Sequence, residues 1–155
     1  DHTARAAEYS EFIVKTVKPL IDARFRTLPE REHTGILGSS MGGLISLYAA
    51  LAHPDTFGFV GAMSPSFWFA GFQMYDWVKG RTAPPMRIYI DVGDNEVGES
   101  PAGVEGFVRD THAMGDILRS QGHEVRVVVG EGADHSEAAW AKRFPTALEW
   151  FITSR

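Results

Sequence analysis

A strand that turns straight into a helix over a glycine-flanked serine leaves a chain few folds, and Gly38-Ser39-Ser40-Met41-Gly42-Gly43 has that form. Thr34 to Gly38 reads as a short apolar strand, and Leu44, Leu47, Tyr48 and Leu51 then recur at helical spacing. Small residues at positions 38 and 42 are expected to let the flanking backbones pass closely, with Ser40 strained at the apex and its hydroxyl exposed. The backbone N–H of Met41 opens the helix. There it points toward a carbonyl under attack and, helped by the helix dipole, stabilises a developing oxyanion. Only Ser40 has glycine two residues away on both sides, so Ser39 reads as local packing.

The rest of the chain alternates helix and strand. Phe12, Ile13, Val17, Leu20, Ile21 and Phe25 predict an amphipathic helix over Ser10 to Phe25, which Pro19 is expected to kink or split. The helix after the serine should end before Pro54. Further strands are expected at Phe59–Met63, at Arg87–Val92 behind Pro84 and Pro85, and at Glu124–Val129. Phe107, Met114, Ile117 and Leu118 mark a helix closed by Gly122, and Trp140, Phe144, Leu148 and Phe151 line a terminal helical segment interrupted at Pro145. The pattern predicts an α/β fold, a mostly parallel sheet with helices on both faces. With 155 residues, 44% of them hydrophobic, and no repeat or linker, it reads as one domain that buries about two-thirds of its unfolded surface. Parallel sheets bind ligands beyond the C-terminal ends of their strands, so chemistry is sought after Gly38, Met63, Val92 and Val129.

A serine hydroxyl is a poor nucleophile until a base takes its proton. Of six histidines, His2, His33 and His53 read as exposed residues before strands or at helix ends. His112 lies within a helix and His123 at a helix-to-strand turn, both away from the reactive edge. His135 follows the last strand in the loop Gly130-Glu131-Gly132-Ala133-Asp134-His135 and comes last in the order serine, acid, histidine. The acid should come from Asp91-Val92-Gly93-Asp94-Asn95-Glu96. Asp91 is expected in the strand as a structural acceptor, while spacing leaves Asp94 and Glu96 tied. The absence of cysteine excludes disulfides, thiolate zinc sites and a cysteine nucleophile, and fits either redox environment. A net charge of -5 without a basic stripe argues against nucleic acid or an anionic membrane as partner. No apolar run approaches the roughly 18 residues of a membrane span. No metal-ligand spacing occurs, and serine chemistry implies neither a metal nor an organic cofactor.

Three blocks carry a family likeness: Gly38-Ser39-Ser40-Met41-Gly42-Gly43-Leu44, Ile90-Asp91-Val92-Gly93-Asp94-Asn95-Glu96, and Gly132-Ala133-Asp134-His135 followed by Trp140. With the stretch from Glu8-Tyr9 through Phe25, the chain resembles the esterase D-like branch of the α/β-hydrolases, which includes enterochelin esterases, feruloyl esterases, S-formylglutathione hydrolases and mycolyltransferases. The resemblance implies a serine esterase that cleaves a small-molecule ester through an acyl-enzyme. Ser40 would be the nucleophile, His135 the general base and then acid, and the Met41 N–H half of the oxyanion hole. The branch places its acid three residues after the loop glycine, which favours Glu96 over Asp94. Ser64-Pro65-Ser66-Phe67-Trp68 matches a loop in which Trp68, with Phe67 and Phe69, would wall an acyl or aryl pocket. Aromatic packing under a long loop accounts for Phe67 and Phe69 equally well.

Members of the branch carry a further N-terminal half that supplies additional strands and the second oxyanion donor, whereas only about 33 residues precede the elbow strand here. Residues 1–155, which begin abruptly at Asp1, are therefore expected to be a fragment, the C-terminal half of an α/β-hydrolase domain with about four strands. The first strand would then have an open edge, a hazard for self-association; the alternative is a shortened variant that pairs that edge otherwise. Two other readings share these residues: a catalytically silent fragment or structural module without a complete oxyanion hole, and an acyltransferase in which an alcohol replaces water.

Overall fold

The computed structural model describes residues 2–98 and 100–153. It opens with α1 (His2–Phe12), a π-helical turn (Ile13–Val17) and α2 (Lys18–Arg24). The helix therefore begins earlier than the apolar spacing predicts, because His2–Ser10 is too polar to show a stripe. Pro19 does not split it. The preceding turn widens, with the Lys18 N–H bonding the Ile13 carbonyl, and Pro19 falls in the first turn of α2, where a missing N–H costs little.

Four strands follow, each with its crossover: β1 (Gly35–Ser39), α3 (Met41–Ala52), β2 (Phe59–Met63), α4 (Gln73–Lys79), β3 (Arg87–Gly93), α5 (Gly103–Ser120) and β4 (Glu124–Gly130), then α6 (Glu137–Thr153). All four strands are parallel and lie in the order β1-β2-β3-β4. Because every right-handed crossover steps the same way, the helices between strands share one face and α6 covers the other. The period-2 alternation of strands serves both sides. Ile36, Val60, Ala62, Ile88 and Ile90 pack with Leu47, Ala50, Met114 and Leu118 of α3 and α5. Leu37, Phe59, Tyr89 and Val128 pack with Ala147, Trp150 and Phe151 of α6.

Gly122 closes α5 as expected, at φ +89, with the His123 N–H bonding the Leu118 carbonyl. Two expectations are corrected. Pro145 does not interrupt the last helix: α6 runs through it from Glu137 to Thr153, forgoing one backbone bond. The long segment after β2 is not all loop, because Gln73–Lys79 forms α4 and buries Met74 and Val78. The end of α6 is fixed by Arg87, whose guanidinium bonds the carbonyls of Trp150 and Phe151 and lies 4.5 Å over the Trp150 ring. β1 and β4 are the outer strands, and Phe144, Leu148 and Ile152 leave an exposed apolar stripe along α6.

Candidate active site

Each strand delivers one part of a cluster at its C-terminal end. After β1, Ser40 adopts φ 55, ψ -123, a conformation that costs a non-glycine residue about 1–3 kcal/mol. The sheet ladder holds it there, since the Ser40 N–H bonds the Met63 carbonyl at 2.8 Å and the Ser40 carbonyl accepts from Gly43 and Leu44. The close packing belongs to Gly38 and Gly43 rather than to Gly38 and Gly42. A Cβ on Gly38 would strike the Gly42 carbonyl, and one on Gly43 would come within 3.1 Å of the Gly38 and Met63 carbonyls, whereas one on Gly42 would meet open space.

After β4, the loop brings His135 over the elbow, with Nε2 2.9 Å from Ser40 Oγ. After β3, Glu96 turns inward, fully buried, with Oε2 2.6 Å from His135 Nδ1. Asp94 points elsewhere: its Oδ1 accepts the Gly132 N–H at 2.6 Å and so steadies the histidine loop. The two loops are sewn together by the Asp94 N–H on the Gly130 carbonyl and the Asn95 N–H on the Ala133 carbonyl. Trp140 stands edge-on to the His135 ring at 4.9 Å, and Phe107 flanks it at 6.1 Å. With the carboxylate accepting at Nδ1, the imidazole presents Nε2 as an acceptor to the serine hydroxyl. This polarity suits proton transfer away from Ser40.

After β2 come two serines to which sequence reasoning gave no role. Ser66, nearly buried, has its Oγ 3.3 Å from Ser40 Oγ. Ser64 is fully buried at φ +44, donates to Glu96 Oε1 at 2.6 Å, and accepts from Trp140 Nε1 at 3.0 Å and Arg143 Nη2 at 2.8 Å. Arg143 also bonds Asp91 Oδ1 at 3.1 Å, which gives Asp91 the structural part expected of it. Burial pushes the Asp91 carboxyl above its ordinary range, and the Arg143 guanidinium opposes that shift. Arg143 left a faint trace in the sequence, three residues after Trp140 and therefore on the same helix face.

Met41 is the first residue of α3, so its N–H lacks an intrahelical acceptor. Beside it a groove of about 450 Å3 runs between α1, α3 and α4, lined by Tyr9, Met41, Leu44, Tyr48, Phe69 and Trp77 among others. Phe69 contributes to that wall. Trp68 is half-buried next to it, edge-on at 6.5 Å, and Phe67 is buried in the core against Tyr75. Among the other histidines, His33 and His53 are only half-exposed, His53 Nε2 lying 3.0 Å from Ser10 Oγ; His112 is exposed, and the His2 side chain lies outside the described residues. His123 is buried at the opposite end of the sheet, accepting the Met86 N–H. Among the described residues no cluster of His, Asp and Glu is placed to hold a metal ion, and no helix is long and apolar enough to cross a membrane.

A family model described as "Putative esterase" matches residues 2–151. The chain is 30% identical over 148 residues to the Iron(III) enterobactin esterase of Dickeya dadantii, covering 84% of this chain and 32% of that protein. It is 27% identical over 145 residues to the protein YbbA of Bacillus subtilis, covering 92% and 58%. Among solved structures, the enterobactin esterase FES from Shigella flexneri superposes with a TM-score of 0.79 at 21% identity, over 94% of this chain and 38% of that one. A ferulic acid esterase superposes with a TM-score of 0.73 at 19% identity, over 92% and 60%. The chain thus spans less than two-thirds of each of these proteins.

Proposed function

The chain belongs to this esterase family, and from that premise we propose that it is the part of a serine ester hydrolase that holds the nucleophile, the base and the acid. The observation that carries the reading is the unbroken line from Ser40 Oγ through His135 to Glu96, with contacts of 2.9 and 2.6 Å, set on a strained strand-to-helix turn. Ser40 attacks the ester carbonyl while His135 Nε2 takes its proton. The Met41 N–H donates to the oxyanion that forms, and the α3 dipole adds to it. His135 then protonates the departing alkoxide. In the second half-reaction it activates water against the acyl-enzyme, and Glu96 stabilises the imidazolium each time.

The matched relatives include proteins named as enterobactin and feruloyl esterases, and the aromatic groove beside Met41, with Trp68 and Phe69 next to it, suits an ester that carries an aromatic ring. A p-nitrophenyl ester tests the chemistry. Ser40→Ala should abolish turnover, and a fluorophosphonate should label Ser40 alone as read by peptide mass spectrometry. Full turnover in the variant, or labelling at another residue, refutes the mechanism.

A further inference from the structure

The buried hydroxyl of Ser64 has one proton and two lone pairs, and its surroundings dictate where each goes. Trp140 Nε1 and the Arg143 guanidinium can only donate, and both contact Ser64 Oγ, at 3.0 and 2.8 Å. Both lone pairs are thus occupied. The remaining O–H must donate, and its acceptor is Glu96 Oε1 at 2.6 Å. The Gly93 N–H, again a pure donor, meets the same oxygen at 2.5 Å, and Arg143 Nη2 stands 3.7 Å from it. Every group facing Oε1 is therefore a donor, which leaves Oε2 to His135 Nδ1. A proton on Oε1 would point at another hydrogen.

From this geometry we infer that Ser64, Trp140 and Arg143 are positioning residues that lock the direction of the whole hydrogen-bond line. They keep Glu96 an acceptor at both oxygens, and thereby hold His135 in the tautomer that accepts from Ser40. The inference rests on the ester-cleaving reading above. Among the described residues, the charged and titratable groups around the line include Asp91 on β3, Asp94 on the following loop, Asp134 beside His135 and Arg143 on α6. Asp94 and Asp134 are turned aside, onto the Gly132 N–H and the Ser136 hydroxyl, and among the described residues the cation at Oε1 is Arg143. None of the three positioning residues lines the groove beside Met41.

Ser64 also offers an unusual control. Its positive φ suits glycine, so Ser64→Gly removes the hydroxyl while relaxing the backbone. With p-nitrophenyl acetate as probe, Ser64→Gly should still unfold in one cooperative transition, the relaxed backbone offsetting part of the Tm lost with the hydroxyl's three buried hydrogen bonds. It should lower kcat about 10–100-fold, as losing a partner that orients an active-site ligand does elsewhere, and leave KM within about twofold. Arg143→Met should show the same kcat loss, and Arg143→Lys, which keeps a donor and the charge, should recover most of it. Trp140→Phe keeps the ring against His135 and frees one lone pair of Ser64, which gives a second line of evidence if Arg143→Met fails to fold. A folded Ser64→Gly whose kcat stays within about twofold of the parent overturns the inference, as does a loss confined to KM. If Ser40→Ala leaves turnover intact, the esterase reading itself falls and this inference goes with it, whatever Ser64→Gly does.

Discussion

Ser40 and Ser64 occupy matching places, each one residue beyond the paired part of its strand and each at positive φ. Backbone strain at neighbouring strand ends is thus concentrated where the cluster is assembled, and the ladder bonds from Ser40 to Met63 and from Ser64 to Asp91 hold it in place. The two elbow glycines of the G-x-S-x-G pattern are not equivalent. Gly38→Ala forces a methyl into the Gly42 carbonyl, and we expect about 1–3 kcal/mol of lost stability in urea unfolding, with slower labelling of Ser40. Gly42→Ala places its methyl in open space inside a helix, and stability should be unchanged or rise by up to about 1 kcal/mol. The pattern itself was plain in the sequence, but which glycine is pressed was not, because that depends on how α3 lies across β1. The tie between Asp94 and Glu96 has the same origin. Both sit on one loop two residues apart, and the turn at Asp94 and Asn95 sends one carboxylate to Gly132 and the other to His135.

At the scale of elements, the strands were the most legible. Phe59–Met63 is a continuous buried run bounded by turns, and its limits agree with those read from the sequence. α4 was hidden among aromatics that looked like loop packing, and the polar start of α1 carries no stripe to read. Least legible was the support beneath Glu96. Ser64 and Arg143 are 79 residues apart, and no local pattern announces that α6 returns across the sheet to meet the loop after β2. Pro145 gives this element its own test. Inside a continuous helix it forgoes a backbone bond and crowds the preceding turn, so Pro145→Ala should stabilise the protein by about 1–3 kcal/mol in thermal or denaturant unfolding.

Over the whole molecule, the rim of the sheet far from the site carries a response to pH of its own. His123 is buried between α5 and β4, and burial, reinforced by the nearby Arg31 charge, holds its imidazole below the ordinary range. An unfolded chain takes up that proton near pH ~6.5, before the folded one does. Stability should therefore fall as pH drops below ~6.5 and show no contribution from this group above it. Denaturation midpoints at acidic and neutral pH should differ less in His123→Asn, which keeps an acceptor for the Met86 N–H without the titration. The linear strand order has a further consequence, in time rather than space. A ribosome delivers Ser40 first, Glu96 after it, and His135 39 residues after Glu96, with Trp140 and Arg143 following. Until His135 has emerged, a growing chain can shape the elbow but has no imidazole beside Ser40 to draw off its proton.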